Sequence, residues 1–447
     1  MSPHRAIAAV FAAHGAVAGS LSTRIPWIQG HLDLTPGTLG LGLLFPSIGA
    51  FIGMPLASRL AYRFGSRTAT RALIALWCAG LALPALAPSP AGLFAVFLLF
   101  GSAAGMSDVV MNAHAVEVER RLGRPIMSGL HGMWSVGSLA AAALGALAAQ
   151  SGLDARIHLG AVSVTLVAAS AVAGRSLLPD GTMTGEEPQA GGVPADAPPP
   201  RRFALPTRAI LTIGLVGFCA TFAEGASSNW AAYLTKVADA GPGLAAAGYT
   251  VFMLCMAGMR LVGDRAVRWF GPVAAVRTGG IVAAVGGVIV VTSRTPAPAI
   301  AGFALVGLGI AVTVPLVFAA AGRAGATPGE GVAGVATITY LSGLIAPAVT
   351  GWVAGALNYP TAFALITAVV VLLPLLAPAL RPSPDTSVHP ARIHGRHEEA
   401  DSALGGCDKP SAGPLTSSAP SAARPEPAAA HAAPARPAGP GPRRAGR

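Results

Sequence analysis

Residues 91–115 read AGLFAVFLLFGSAAGMSDVVMNAHA, an apolar run that holds one carboxylate, Asp108. A helix needs about 20 mostly apolar residues, at 1.5 Å rise each, to cross a bilayer, and this run is long enough. Eleven comparable runs accompany it, at 6–27, 38–57, 70–88, 126–150, 157–177, 209–235, 245–263, 272–292, 298–322, 331–353 and 358–380. The pattern predicts an all-α membrane protein with twelve transmembrane helices. A soluble helical protein would need charged faces on its outer helices. Only 11% of the residues are charged and the mean hydropathy is +0.60, too little polar material for that.

The net charge of +11 would suggest nucleic acid in a soluble chain. Here most basic residues fall in short gaps or in the tail, with no RNP-type motif, zinc finger or aromatic-bearing basic helix, so no nucleic-acid partner is expected. Cys78, Cys219 and Cys255 lie within apolar runs and Cys407 in the tail, without a CxxC. Neither a disulfide framework nor a metal site follows. The first run, preceded only by His4 and Arg5 as near cations, reads as a retained helix rather than a cleaved signal.

Cations alternate along the gaps. The odd gaps hold Arg24, Arg156, Lys236 and Arg294, and two hold none. The even gaps hold Arg59, Arg63, Arg67 and Arg71; Arg120, Arg121 and Arg124; Arg175, Arg201, Arg202 and Arg208; Arg260, Arg265, Arg268 and Arg277; and Arg323. Cationic loops stay cytoplasmic, so both termini are expected there, in a bacterial cytoplasmic membrane.

The longest gap, 178–208, is rich in Pro, Gly and acidic residues and reads as a flexible cytoplasmic linker. It separates an N-terminal six-helix half, 1–177, from a C-terminal half, 209–380. An internal repeat supports the division: SRLAYRFG at 58–65 corresponds to DRAVRWFG at 264–271, and Trp134–Gly137 is echoed by Tyr340–Gly343. Parallel six-helix repeats are a known transporter plan. From 381 to 447 the chain is Pro, Ala, Ser, Gly and Arg without hydrophobic period, so a disordered cytoplasmic tail is expected.

The repeated segment resembles the loop signature of the major facilitator superfamily, in which glycine, Asp-Arg, glycine and further basic residues follow span 2. Arg63, Gly65 and Arg67 match its basic and glycine positions, while Ser58 and Tyr62 replace its glycine and aspartate. The second copy keeps Gly263-Asp264-Arg265 and Gly271. The resemblance covers 6–380. It implies a cytoplasmic gate in which this loop pairs its charges with helix ends, leaning on Asp264 and Arg265 more than on the first half. Three segments are similar to the fucose-permease-like bacterial branch: Ser22–Trp27; Asp108–Asn112 through Gly129–Gly132; and Glu224-Gly225-Ala226 with Asn229-Trp230.

Ionisable groups inside a bilayer are costly and are functional candidates by default. Asp108 and Asn112 lie four apart and share a helical face, and His131 enters span 5 at a comparable depth. Asp108 and His131 are therefore proton-coupling candidates, with a structural bond between spans 4 and 5 as the alternative for His131. Glu224, near mid-membrane and followed by small residues that allow close approach, is the best single proton-site candidate. Asn112, Asn229, Trp230 and Arg24 are substrate-cavity candidates, Arg24 either drawing an anionic solute, pairing with Asp33 or snorkelling to water. Glu117 and Glu119 sit in a charged loop. His14 faces a cavity or a neighbour, and Tyr340 is read as packing.

These features favour a monomeric secondary transporter that moves a small, sugar-like or polar solute by alternating access, coupled to protons and without a cofactor. Drug or metabolite efflux on the same fold, and a non-transporting solute sensor, are the alternatives. A primary pump is disfavoured, since the only lysines are Lys236 and Lys409 and neither belongs to a phosphate-binding GxxxxGK[ST] loop. No HExxH, GxSxG or paired-Asp motif suggests an intramembrane enzyme.

Overall fold

The computed structural model describes residues 1–180, 207–226, 230–240, 242–324 and 328–382; side chains at 36–37, 230–232, 242–243, 245–247 and 328 are outside that description. The expected tail, and all but the ends of the expected linker, therefore lie outside the described residues. Among them the chain is helical: α1 (Pro3–Ser22), α2 (Ile25–His31), α3 (Pro36–Gly42), α4 (Phe45–Phe64), α5 (Ser66–Ala79), α6 (Leu83–Leu86), α7 (Pro90–Leu122), α8 (Met127–Gln150) and α9 (Ala155–Gly174), then α10 (Arg208–Gly225), α11 (Trp230–Val237), α12 (Pro242–Thr292), α13 (Pro296–Ile310), α14 (Thr313–Ala324), α15 (Pro328–Ala356) and α16 (Tyr359–Leu376).

Among the described residues, eleven apolar stretches are long enough to cross a membrane. One of them, Gly248–Thr292, contains a break at Gly271, whose φ of 78° lies in the left-handed region. Two spans meet there, which brings the number to twelve. The helices end where local chemistry dictates. Ser89 accepts the Gly92 N–H ahead of Pro90 to start α7, and Gly123 closes it in the left-handed conformation. Asn358 accepts the Thr361 N–H to start α16.

Two features depart from the sequence reading. Helices α4 and α7 overrun the expected spans, so Arg59, Arg63, Arg120 and Arg121 ride on their last turns rather than in loops. The run 209–235 is two helices, α10 ending one residue after Glu224 and α11 starting at Trp230. Gly225, the last residue of α10, is a poor helix former, and Ala226 caps the helix by donating its N–H to the Glu224 and Phe222 carbonyls.

Packing follows small residues, as expected where lipid offers no hydrophobic drive between helices. A Cβ on Gly15 or Gly19 of α1 would strike the Trp134 or Ser138 carbonyl of α8, and one on Gly137 would strike Ala12. Gly49 and Gly53 of α4 meet α7 backbone in the same way. In the second half Gly225 of α10 lies against Gly343 of α15, and Gly307 of α13 against the Phe252 backbone of α12. Spans 1 with 5 and 2 with 4 thus pair as spans 7 with 11 and 8 with 10 do, the two-half symmetry read from the repeat.

Candidate functional site

A cavity of about 600 Å³ lies between the halves. The first half contributes His14, Ser47, Asp108, His131 and Trp134; the second contributes Thr221, Glu224, Arg260, Phe318, Thr339 and Tyr340. Aromatic faces and a few polar groups converge on one space, the usual make-up of a small-molecule site.

On the first-half wall, Asn112 donates to the Asp108 carboxylate at 3.1 Å, and its own carbonyl oxygen lies 3.2 Å from His131 Nε2. The three side chains form one chain of hydrogen bonds across α7 and α8. Tyr340 of α15 lines the same cavity as Asp108 from the opposite half. His131 sits between Phe11, 5.3 Å edge-on, and Phe318, 5.7 Å and stacked. His14 accepts from Trp134 Nε1 at 3.0 Å and stacks on Trp77 at 5.2 Å, so it faces both the cavity and its neighbours.

On the second-half wall, Glu224 pairs with Arg260 at 3.2 Å. Arg260 is buried, with 4% exposure. Sequence reading places it among the loop cations after span 8, and the structure corrects this: α12 runs unbroken to Gly271, which brings Arg260 inside the bundle. Tyr340, read as packing, is likewise a cavity residue. Neither was legible locally, because a cation three residues short of Gly263-Asp264 looks like the start of the same charged loop.

Several candidates lie elsewhere. Asn112 is fully buried behind Asp108 and His131 and does not line the cavity. Arg24 is also buried and away from it: Arg24 Nε donates to His158 Nδ1 of α9 at 3.1 Å, and not to Asp33. A cation in the first outer gap could not be distinguished, in one dimension, from one drawn back into the bundle by a histidine 134 positions away. Asn229 falls outside the described residues, as does the Trp230 side chain; the Trp230 backbone begins α11.

The gating candidates gather at the arginine-rich end. Asp264 accepts the Ser128 and Gly129 N–H groups of α8 at 2.9 and 2.7 Å, across the halves. Glu119 accepts those of Ile126 and Met127, at 2.9 and 3.2 Å. The first four donors of a helix have no partner inside it, and here two carboxylates take them all, favourably placed against the helix dipole. Arg120 donates to the Gly322 carbonyl of α14, and Arg323 lies 3.9 Å from Glu119, adding two further links between the halves.

Arg63, Gly65 and Arg67 stay within the first half. Arg63 lies over the Phe64 ring at 5.3 Å. The Arg67 N–H donates to Asp180 at 2.9 Å, and its guanidinium to the Arg175 carbonyl at 2.6 Å. Gly65, at φ 83°, lets the chain pass beside the Asp180 carboxylate. Arg265 stacks over Trp269 at 4.7 Å. Among the described residues no group of three or more His, Cys, Asp or Glu is arranged to hold a metal.

Twelve membrane-crossing helices in two related halves around a central polar cavity define a membrane carrier. The sequence model of the Major Facilitator Superfamily matches residues 7–329, and the chain belongs to that family. It is 31% identical over 383 residues to an uncharacterized transporter of Sinorhizobium fredii, y4wD, covering 85% of this chain and 99% of that one. It is 33% identical over 365 residues to an uncharacterized MFS-type transporter of Yersinia pestis, covering 79% and 89%. The fold is similar to the crystal structure of the MFS transporter FucP in its outward conformation, with a TM-score of 0.71 at 16% identity, covering 85% of this chain and 99% of FucP. The protein is a multi-pass membrane protein of a family that transports small solutes.

Proposed function

We propose that the protein is a proton-coupled secondary transporter that moves a small polar, sugar-like solute across the bacterial cytoplasmic membrane by alternating access. The observation that carries this reading is that two carboxylates, Asp108 and Glu224, face one cavity from opposite halves. Carboxylates held inside a bilayer are typical proton relay groups. Each has a neighbour suited to that work: Asp108 lies in the Asn112–His131 chain, and Glu224 beside Arg260. Trp134 and Phe318 supply ring faces to a solute, and His14, Thr221 and Thr339 supply hydrogen-bonding groups.

The arginine-rich end is the cytoplasmic end in this reading, by the bias of cationic loops. Both termini and the 178–208 linker then lie inside the cell, with 1–177 and 209–380 as the rocking halves of a monomer and 381–447 as a tail. The bonds from Asp264, Arg120 and Arg323 close that end, which supports an outward-facing arrangement. FucP is itself a fucose:proton symporter, and its fold similarity agrees with this choice of solute. The apolar part of the cavity wall, Leu43, Leu44 and Val314, supports efflux of an amphipathic solute as the second reading.

A thermal-shift screen of purified protein against sugars, organic acids and amphipathic drugs identifies the solute. Uptake into proteoliposomes then collapses on adding a protonophore. Glu224→Gln stops net proton-driven uptake and leaves solute exchange intact. Unchanged proton-coupled uptake in that variant discards Glu224 as the coupling site.

A further inference from the structure

We infer that one turn of α12, Arg260 to Asp264, is the element through which the state of Glu224 controls closure at the arginine-rich end. The inference rests on the reading of Glu224 as a group that is neutralised during transport. It assigns Arg260, Ser128 and Ser135 as positioning residues, a role that no motif in the chain marks.

The turn grips both halves. Its upper end is the Arg260 side chain, which donates to Glu224 Oε2 at 3.2 Å, to Ser135 Oγ of α8 at 3.5 Å, and to the Ala311 carbonyl at 3.2 Å. Ala311 lies where α13 gives way to α14, so its carbonyl is free to accept. The Ser135 hydroxyl donates to the His131 carbonyl at 3.1 Å, which leaves its oxygen lone pairs to accept from the guanidinium. The Arg260 carbonyl accepts the Ser128 hydroxyl at 2.8 Å. One turn below, Asp264 holds the Ser128 and Gly129 N–H groups in the first turn of α8.

Ser128, Gly132 and Ser135 repeat at helical spacing and so present one face of α8 to this turn. A Cβ on Gly132 would strike the Leu261 side chain, and one on Gly263 would strike the Ser128 hydroxyl. The two helices are joined by side chain-to-backbone bonds at both ends of one rigid helical turn, so a shift of α12 at Arg260 must be felt at Asp264. Packed contacts of this kind switch between arrangements rather than deform continuously.

Glu224 is the only carboxylate among the described residues within ion-pair distance of Arg260. When it is neutralised, a buried guanidinium is left with neutral acceptors alone. Arg260 is the buried member of the pair and Glu224 is partly exposed; a buried charge left without its partner is destabilising, so the arrangement that keeps Arg260 buried loses its advantage. The state that carries Arg260 toward water withdraws Asp264 from α8 and opens this end. The other titratable groups around the pair are Tyr249 of α12, His131 of α8, His14 of α1, Asp108 of α7 and Tyr340 of α15.

The test places a reporter at Val116, a buried residue of α7 packed on Gly322 of α14 across the halves. Val116→Cys in a Cys407→Ser background is reconstituted and labelled with a charged maleimide, and the rate is corrected for protein without the Val116 change. Glu224→Gln is expected to label about tenfold faster or more, and Ser135→Ala, which keeps both charges, about two- to threefold faster. Labelling of well-folded Glu224→Gln at the parental rate overturns the inference. Should Glu224→Gln fail to fold, Ser135→Ala at the parental rate overturns it instead. Faster labelling with protonophore-insensitive uptake would discard proton coupling and keep the α12 linkage. Lost coupling with unchanged labelling would do the reverse.

Discussion

Ser58 and Asp264 occupy the same position in the two copies of the repeated segment, and each reaches the start of a helix in the opposite half. Ser58 donates its hydroxyl to the Gly329 carbonyl of α15 at 3.1 Å. Asp264 accepts two backbone N–H groups of α8 at 2.9 and 2.7 Å. The contacts are related by the two-half symmetry and unequal in strength. A neutral hydrogen bond contributes about 1 kcal/mol, and bonds to a charged group about 1.5–3 kcal/mol each. Closure is therefore weighted toward the α8–α12 side.

Asp264→Ala is expected to open the arginine-rich end far more than Ser58→Ala does. The difference in closure is about 2 kcal/mol or more, measured as maleimide access to a cysteine placed at Val116. Equal effects of the two substitutions would count against the asymmetry.

Gly65 and Gly271 are also repeat equivalents, and both have positive φ, 83° and 78°. With ψ of 152° and 164°, both lie in a region essentially confined to glycine, so a side chain at either position meets backbone strain of about 1–3 kcal/mol. Only at Gly65 would the new Cβ strike another group, the Asp180 carboxylate; at Gly271 nothing lies within 4 Å. Gly65→Ala should lower the melting temperature in detergent clearly more than Gly271→Ala.

Gly137→Leu is expected to destabilise the fold by several kcal/mol, because its Cβ alone would overlap the Ala12 carbonyl and neither backbone can give way cheaply. Gly160→Leu, with nothing within 4 Å of its Cβ, serves as the control. Thermal unfolding of the two purified variants reads the difference.

Arg24 ties the end of the first span to α9 through His158 and does not line the cavity. Arg24→Met should lower thermal stability, by about 1.5–3 kcal/mol for a lost bond to a charged donor. Solute affinity, read by calorimetry once the solute is known, should stay within about twofold, a change under 0.5 kcal/mol.

The one-dimensional chain determined the membrane class, the twelve spans and the two related halves. Hydropathy and the 58–65 and 264–271 repeat are local properties that survive in any fold consistent with a bilayer. The same locality marked Asp108, His131 and Glu224, because a charge inside an apolar run is visible without neighbours. What sits opposite each charge was decided by tertiary structure alone. The pairing of Glu224 with Arg260 and of Arg24 with His158 joins residues 36 and 134 positions apart. No periodicity encodes such meetings: they follow from glycine-mediated helix packing, which sets depth and facing only when all the helices are in place. That is why Arg260 reads as a loop cation in the sequence and stands in the cavity wall of the folded protein.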